Sequence, residues 1–168
     1  MNFELTEEQK AVQEAARDFA QNVLKPGVIE RDNLQKFPTE EIKQLAELGF
    51  MGMMVDPKYG GSGMDTLSYV LAMEEISKVD ASTSVCMSVN NSLVCWGIEK
   101  FGTEEQKQKF LVPLATGEKI GAFCLSEPEA GSDATSQQTT WLEGPGYQNA
   151  HWQFDETSTD FDPKALAE

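Results

Sequence analysis

A chain of 168 residues, 40% hydrophobic and 24% charged, is long enough for one domain and part of another around a real core. Its 28 acidic residues outweigh 13 basic ones to a net charge of -15, which argues against nucleic acid and anionic membrane surfaces as partners. No basic n-region and no Arg-rich leader opens the chain, so a cytoplasmic protein of prokaryotic origin is expected. Cys86, Cys95 and Cys124 are odd in number and irregularly spaced, which suggests free buried thiols and neither a disulfide framework nor a metal site.

Thr6-Glu7-Glu8-Gln9 forms a capping box, followed by Val12, Ala15, Ala16, Phe19, Ala20, Val23 and Leu24 on one helical face up to Pro26-Gly27. A short charged helix to about Gln35 comes next. Phe37-Pro38-Thr39 then opens a helix with Ile42, Leu45 and Leu48 inward, closed at Gly49. Phe50 to Val55 is apolar and, with Met64, holds Met51, Met53 and Met54, which suit loop packing against a helical core. Tyr59-Gly60-Gly61-Ser62-Gly63 lacks the Gly-Lys-Ser/Thr ending of a phosphate loop and opens no helix as GxGxxG, so it reads as a turn. Asp65 or Thr66 caps a helix with Leu67, Val70, Leu71, Ile76 and Val79 inward and Glu74, Glu75 and Lys78 outward.

Asp80 caps the next helix, and no residue from Ala81 to Ile98 is charged. A helix uncharged all round is buried or crosses a membrane. Ser82, Thr83, Ser84, Ser88, Asn90, Asn91 and Ser92 are too polar for lipid, so this is expected to be the central helix of a bundle. Its Ser/Asn stripe then needs hydrogen-bond partners inside the protein; the functional alternative puts Asn90, Asn91 and Ser92 near the floor of a ligand pocket. Thr103-Glu104-Glu105-Gln106 repeats the capping box and starts a helix through Phe110, Leu111 and Leu114 to Gly117.

Ile120 to Leu125 is a short apolar run that breaks at Pro128 into Glu129-Ala130-Gly131-Ser132-Asp133, the pattern of a strand ending in a tight loop. Pro128 removes a backbone donor, and Gly131 permits a left-handed conformation that can turn amides toward an anion. An ordinary strand exit would look the same.

The run Gly121-Ala122-Phe123-Cys124-Leu125-Ser126-Glu127-Pro128-Glu129-Ala130-Gly131-Ser132-Asp133 resembles the first signature of the acyl-CoA dehydrogenases, flavoenzymes that desaturate acyl-CoA thioesters. Asp56-Pro57-Lys58-Tyr59-Gly60-Gly61-Ser62-Gly63, Ser88-Val89-Asn90-Asn91-Ser92-Leu93 and Phe101-Gly102-Thr103-Glu104-Glu105-Gln106-Lys107 match the same family in the same order. The Ser-Val-Asn-Asn-Ser-Leu run is similar to the short-chain, butyryl-CoA branch.

The resemblance implies a mainly α fold. Residues 1–118 would be the all-α amino-terminal bundle, 119–140 the first strand or strands of a β domain, and 141–168 a non-matching acidic tail. The carboxy-terminal helical domain, with the glutamate that removes the α proton, has no counterpart here, so no catalytic residue is expected in this chain. FAD is the implied cofactor, with Phe123, Cys124, Leu125, Ser126, Glu127, Pro128, Glu129, Ala130, Gly131 and Ser132 along it. Ser132 would also meet the acyl-CoA substrate. A donor pair at Leu125-Ser126 suits the pyrimidine edge of a flavin, where negative charge grows as hydride arrives. Glu127 and Asp133 read as turn and network residues and not as an acid and base. The position after Pro128, often glycine in the family, is Glu129, which weakens a bare-backbone approach to phosphate there.

An electron-transfer-flavoprotein type acceptor and a homo-oligomer are implied for the complete enzyme, and a fragment inactive alone for this chain. The open alternatives are a helical partner-binding module, or part of another acyl-CoA flavoenzyme such as an oxidase or a glutaryl-type dehydrogenase. In the tail, Trp141 and Trp152 could dock on the helical body, Pro163 to Ala167 could be helical, and His151 is read as solvated.

Overall fold

A computed structural model describes residues 4–137 of the protein. The expectations for Trp141, His151, Trp152 and the segment from Pro163 lie outside those residues. The chain divides into two compact units, Met1–Phe123 and Cys124–Glu168. In the first, helix α1 (Glu7–Phe19) begins at the expected capping box, with the Thr6 hydroxyl accepting from Gln9 N-H and the Gln9 side chain answering Thr6 N-H. It runs on through a wider, π-wound turn, Ala20–Leu24. The inner face buries Val12, Ala16, Phe19, Ala20 and Leu24. Each fully buried aliphatic side chain contributes about 1.5–3 kcal/mol of transfer free energy before entropy is subtracted.

Helix α2 (Val28–Asn33) buries no side chain, but its Arg31 ties three elements together. The guanidinium donates to Glu41 at 2.7 Å, to Asp80 at 2.9 Å and to the Leu24 carbonyl at 2.9 Å. Helix α3 (Thr39–Glu47) buries Ile42 and Leu45 as expected. Leu48 is instead 45% exposed, because the helix has ended and the chain is already turning into Gly49 at φ 76°. From Phe50 the chain forms two short 3-10 turns, Phe50–Gly52 and Pro57–Tyr59. It then doubles back through Ser62 N-H to Gly52 O, Gly63 N-H to Val55 O and Met64 N-H to Met53 O. Phe50, Met51, Met53, Val55 and Tyr59 fill the space beneath, so this loop serves packing, as its methionines suggest.

Helix α4 (Thr66–Ser77), capped by Asp65, packs along α1 with Leu71 and Ile76 inward and Glu74 and Lys78 outward as expected, but Leu67, Val70 and Glu75 exchange sides. Leu67 and Val70 are 45% and 49% exposed, while Ser68, Tyr69, Leu71, Ala72, Glu75 and Ile76 are buried. Glu75 turns inward because α1 supplies its partners, Arg17 at 3.0 and 3.2 Å and Gln13 at 3.2 Å. A buried carboxylate needs that compensation.

Helix α5 (Ala81–Ser88) starts at Asp80, continues through a π-wound segment, Val89–Cys95, and ends as α6 (Trp96–Phe101). Burial all round is corrected here: Val85, Leu93 and Trp96 are 58%, 43% and 52% exposed. Lack of charge marks this helix on both faces, and only one of them meets the core. The inner face carries Thr83, Ser84, Met87, Asn90, Asn91 and Val94. Asn91 Nδ2 and the Ser92 hydroxyl bond the carbonyls of Met87 and Ser88, one turn back. Such side-chain bonds compete with the backbone ladder and accompany irregular winding.

Helix α7 (Glu104–Gln106) opens at the second capping box and passes through π-wound Lys107–Leu111 to α8 (Val112–Ala115), where Gly117 turns at φ 74°. The mainly α, bundle-type character is therefore as expected. Among the described residues there is no named strand: Ile120 to Leu125 joins no ladder, and the isolated bridge is Glu127 with Ala130. A strand needs a neighbour, and the described residues provide none for this run. They contain no helix long and apolar enough to cross a membrane and no group of residues able to hold a metal ion. The cysteines are free, but only Cys95 is fully buried; Cys86 is half-buried and Cys124 exposed, which corrects the expectation of three buried thiols. Burial, aided by nearby Glu99, pushes the Cys95 thiol up to about 12, so it is inert at neutral pH.

Candidate cofactor-binding segment

The residues that lead to the signature are anchored in the helical unit. Lys119 N-H donates to Pro113 O at 2.9 Å, and Gly121 N-H donates to Asn90 Oδ1 at 2.8 Å. Asn90 is fully buried, and its amide donates to Met51 O at 2.7 Å and Leu114 O at 3.1 Å. Asn91 does the same for its surroundings, donating to Phe50 O and Met87 O and accepting from Met53 N-H at 2.8 Å. The hydrogen-bonding reading of the Ser/Asn stripe therefore holds. Phe123 ends this unit 45% exposed.

In the second unit Cys124, Leu125 and Ser126 are exposed. Glu127 N-H donates to Ala130 O at 3.2 Å and Ala130 N-H returns to Glu127 O at 3.1 Å, closing a four-residue turn around Pro128-Glu129. Proline fits the second turn position because its φ is preset and its absent N-H is not required there. The Leu125 carbonyl accepts from Gln137 Nε2 at 2.6 Å. Asp133 accepts from Thr135 N-H at 3.2 Å, the Thr135 hydroxyl and the Ser136 hydroxyl at 2.6 Å. These bonds, Ser136 first and Thr135 second, hold its carboxyl below the ordinary value of 3.8. Asp133 is thus a network residue in a turn, as expected, and its lowered pKa makes its carboxylate a weaker proton acceptor.

Gly131 departs from expectation. Positive φ occurs at Gly49, Gly60, Gly63 and Gly117, and Gly131 is not among them. A Cβ added to it would meet nothing within 4 Å. The left-handed ground for an anion nest at this point is absent.

The chemistry on offer is hydrogen bonding. Ser126 and Ser132 are exposed, and no hydrogen bond ties either hydroxyl among the described residues. Sequence reasoning missed two features: the Asn90-to-Gly121 bond, which joins positions 31 residues apart, and the exposed uncharged face of Val85, Leu93 and Trp96. The first had no local signal. The second was visible as absence of charge but was read as burial.

Comparison with known proteins fits this arrangement. Residues 6–118 match the family model for the acyl-CoA dehydrogenase N-terminal domain. The chain belongs to the acyl-CoA dehydrogenase family, and the helical unit described above is that N-terminal domain. Among curated proteins, the short-chain specific acyl-CoA dehydrogenase of Clostridium acetobutylicum is 50% identical over 148 residues, covering 88% of this chain and 39% of that protein. A chain in a solved structure of the electron transferring flavoprotein of Acidaminococcus fermentans superposes with a TM-score of 0.80 at 49% identity, covering 83% of this chain and 37% of that one. Butyryl-CoA dehydrogenase from Megasphaera elsdenii gives a TM-score of 0.78 at 48% identity, again over 83% of this chain and 37% of the other. The chain therefore spans little more than a third of the length of these relatives.

Proposed function

We propose that the chain forms the amino-terminal part of a flavin-dependent dehydrogenase of short-chain acyl-CoA thioesters, acting in fatty acid β-oxidation. The family membership supports the reaction class, and the short-chain and butyryl-CoA relatives support the substrate. The observation that carries the reading on this chain's own residues is the run from Phe123 to Ser132, in which Ser126 and Ser132 are exposed with hydroxyls that no described residue ties, while Ala130 is buried in its turn. FAD, when bound, supplies the hydride acceptor. Phe123 gives an aromatic face for the ring system, and Leu125 N-H with the Ser126 hydroxyl gives two donors for its pyrimidine edge. Ser132 offers a hydroxyl where flavin and acyl-CoA meet. Donors at such an edge are the kind of group that stabilises charge developing during hydride transfer. No residue of this chain is assigned as the base that removes the α proton. An electron-transfer-flavoprotein acceptor, a homo-oligomer and a cytoplasmic location complete the reading. The organisation proposed with it is an α domain over 1–118, the start of a β domain over 119–140 and an acidic tail over 141–168.

The test is visible absorbance of the purified 168-residue chain after incubation with FAD and gel filtration. Retained flavin that Ser126→Ala weakens by about tenfold, the loss of one neutral hydrogen bond, is expected. A colourless wild-type protein would overturn the assignment of a flavin site to this chain. It would favour a second reading, a non-catalytic helical module that binds a partner, for which the observation is the exposed apolar face of Val85, Leu93, Trp96 and Phe101.

A further inference from the structure

Three anchors hold the chain between α8 and Phe123, and they differ in reach. Gly117 N-H to Leu114 O and Lys119 N-H to Pro113 O are local bonds of the kind that end any helix. The bond from Gly121 N-H to Asn90 Oδ1 crosses from the central helix and is buried. Asn90 spends its two amide hydrogens on Met51 O and Leu114 O, so its acceptor oxygen is held in place from two sides. Gly121 also lies hard against Val94, the residue one turn further along the same helix. A Cβ on Gly121 would stand 2.7, 2.9 and 3.0 Å from Val94 Cγ1, Cβ and Cγ2. The backbone is thus pulled in by an amide and stopped by a valine, two residues before Phe123.

We propose that Asn90, with Val94 as its stop, is a positioning residue: it fixes the backbone of the helical unit just ahead of Phe123, the aromatic residue read as facing the flavin. The inference rests on the flavin reading above and adds a residue that touches neither flavin nor substrate. Placement errors of about 1 Å at a group that touches a ligand can cost up to a hundredfold in rate, so a bond that sets the start of the segment has leverage over it.

The experiment compares FAD affinity, thermal midpoint and backbone hydrogen exchange over residues 121–125 in the full chain. Asn90→Ala removes the clamp but also takes a partner from the buried Met51 and Leu114 carbonyls, so it is paired with a milder variant, Gly121→Ala, which keeps Asn90 and pushes the backbone off Val94. Gly121→Ala is expected to weaken FAD binding by about tenfold and to speed exchange over 121–125, as losses at supporting groups behind a site usually do. Adding Val94→Ala should return both readouts toward wild type, because it removes the atoms the new Cβ meets. Val12→Ala, a core position on α1 outside the clamp, should lower the thermal midpoint through its cavity yet leave FAD affinity intact. A merely structural role would instead make affinity follow midpoint across all of these variants. Unchanged exchange in both Gly121→Ala and Asn90→Ala would overturn the clamp. Faster exchange with unchanged FAD affinity would overturn the positioning role while leaving the flavin reading standing. A wild-type chain that binds no FAD would overturn the flavin reading itself and the positioning role with it.

Discussion

Asn91 shows how much of this fold depends on one buried amide. Its side chain satisfies the Phe50 and Met87 carbonyls and the Met53 N-H, and the residue is 2% exposed. The backbone bonds of the loop from Phe50 to Val55 to residues 62–64 engage Gly52, Met53 and Val55 carbonyls, so without Asn91 the Phe50 carbonyl and Met53 N-H lose a buried partner. Asn91→Ala should therefore cost about 3 kcal/mol, since each orphaned buried group costs roughly 1–3 and some water enters the gap. Urea unfolding followed by tryptophan fluorescence measures this directly. A loss below about 0.5 kcal/mol, the range of surface substitutions, would show that the loop has other support. From sequence the Asn pair was legible as polar groups needing partners. Which groups they serve was not, because Phe50, Met51 and Met53 are about 40 residues upstream and no periodicity links them.

At the scale of elements, what could be read depended on whether the cause is local. Thr6 and Thr103 cap helices through residues three positions away, and both boxes form as written. The Glu127-to-Ala130 turn around Pro128 is equally local and equally legible. On helix α4 the sequence pattern places Leu71 and Ile76 correctly but not Glu75, whose inward turn depends on Arg17, 58 residues away. Gly131 was given a left-handed role on residue type alone, and the backbone does not use it. Helix α5 failed differently. Its uncharged run reflects an inner face of Asn and Met and an outer face of Val85, Leu93 and Trp96. If that outer face is free of the core, Val85→Lys and Leu93→Lys should each shift stability by no more than about 0.5 kcal/mol, as surface changes do. Losses above about 2 kcal/mol, the size of core substitutions, would restore burial all round. Thermal unfolding of the two variants separates the cases.

For the whole molecule, net charge and specific pairing push stability in opposite directions as pH falls. The charge of -15 repels itself in the compact state, and protonation of exposed carboxylates relieves that repulsion. Glu75 and Asp80 act the other way. Hydrogen bonds from Arg17 lead the causes that hold Glu75 below its ordinary 4.5. Burial alone would raise Asp80, but the Thr83 amide, Arg31 and the Thr83 hydroxyl outweigh it and hold the carboxyl below 3.8. A group whose pKa is depressed by folding stabilises the native state above its unfolded value, and that stabilisation is lost as pH falls through the folded value. Both carboxylates are buried and each bridges two helices, α1 to α4 through Glu75 and α2 to α5 through Asp80, so their loss separates elements. The thermal midpoint should hold or rise from neutrality to about pH 5 and fall steeply below about pH 4, where linkage takes over. Asp80→Asn should be less stable near neutrality and show a shallower acid limb, because it can no longer lose that pair by protonation. A midpoint that continued to rise to about pH 3 would mean that self-repulsion governs throughout and that the buried pairs add nothing net.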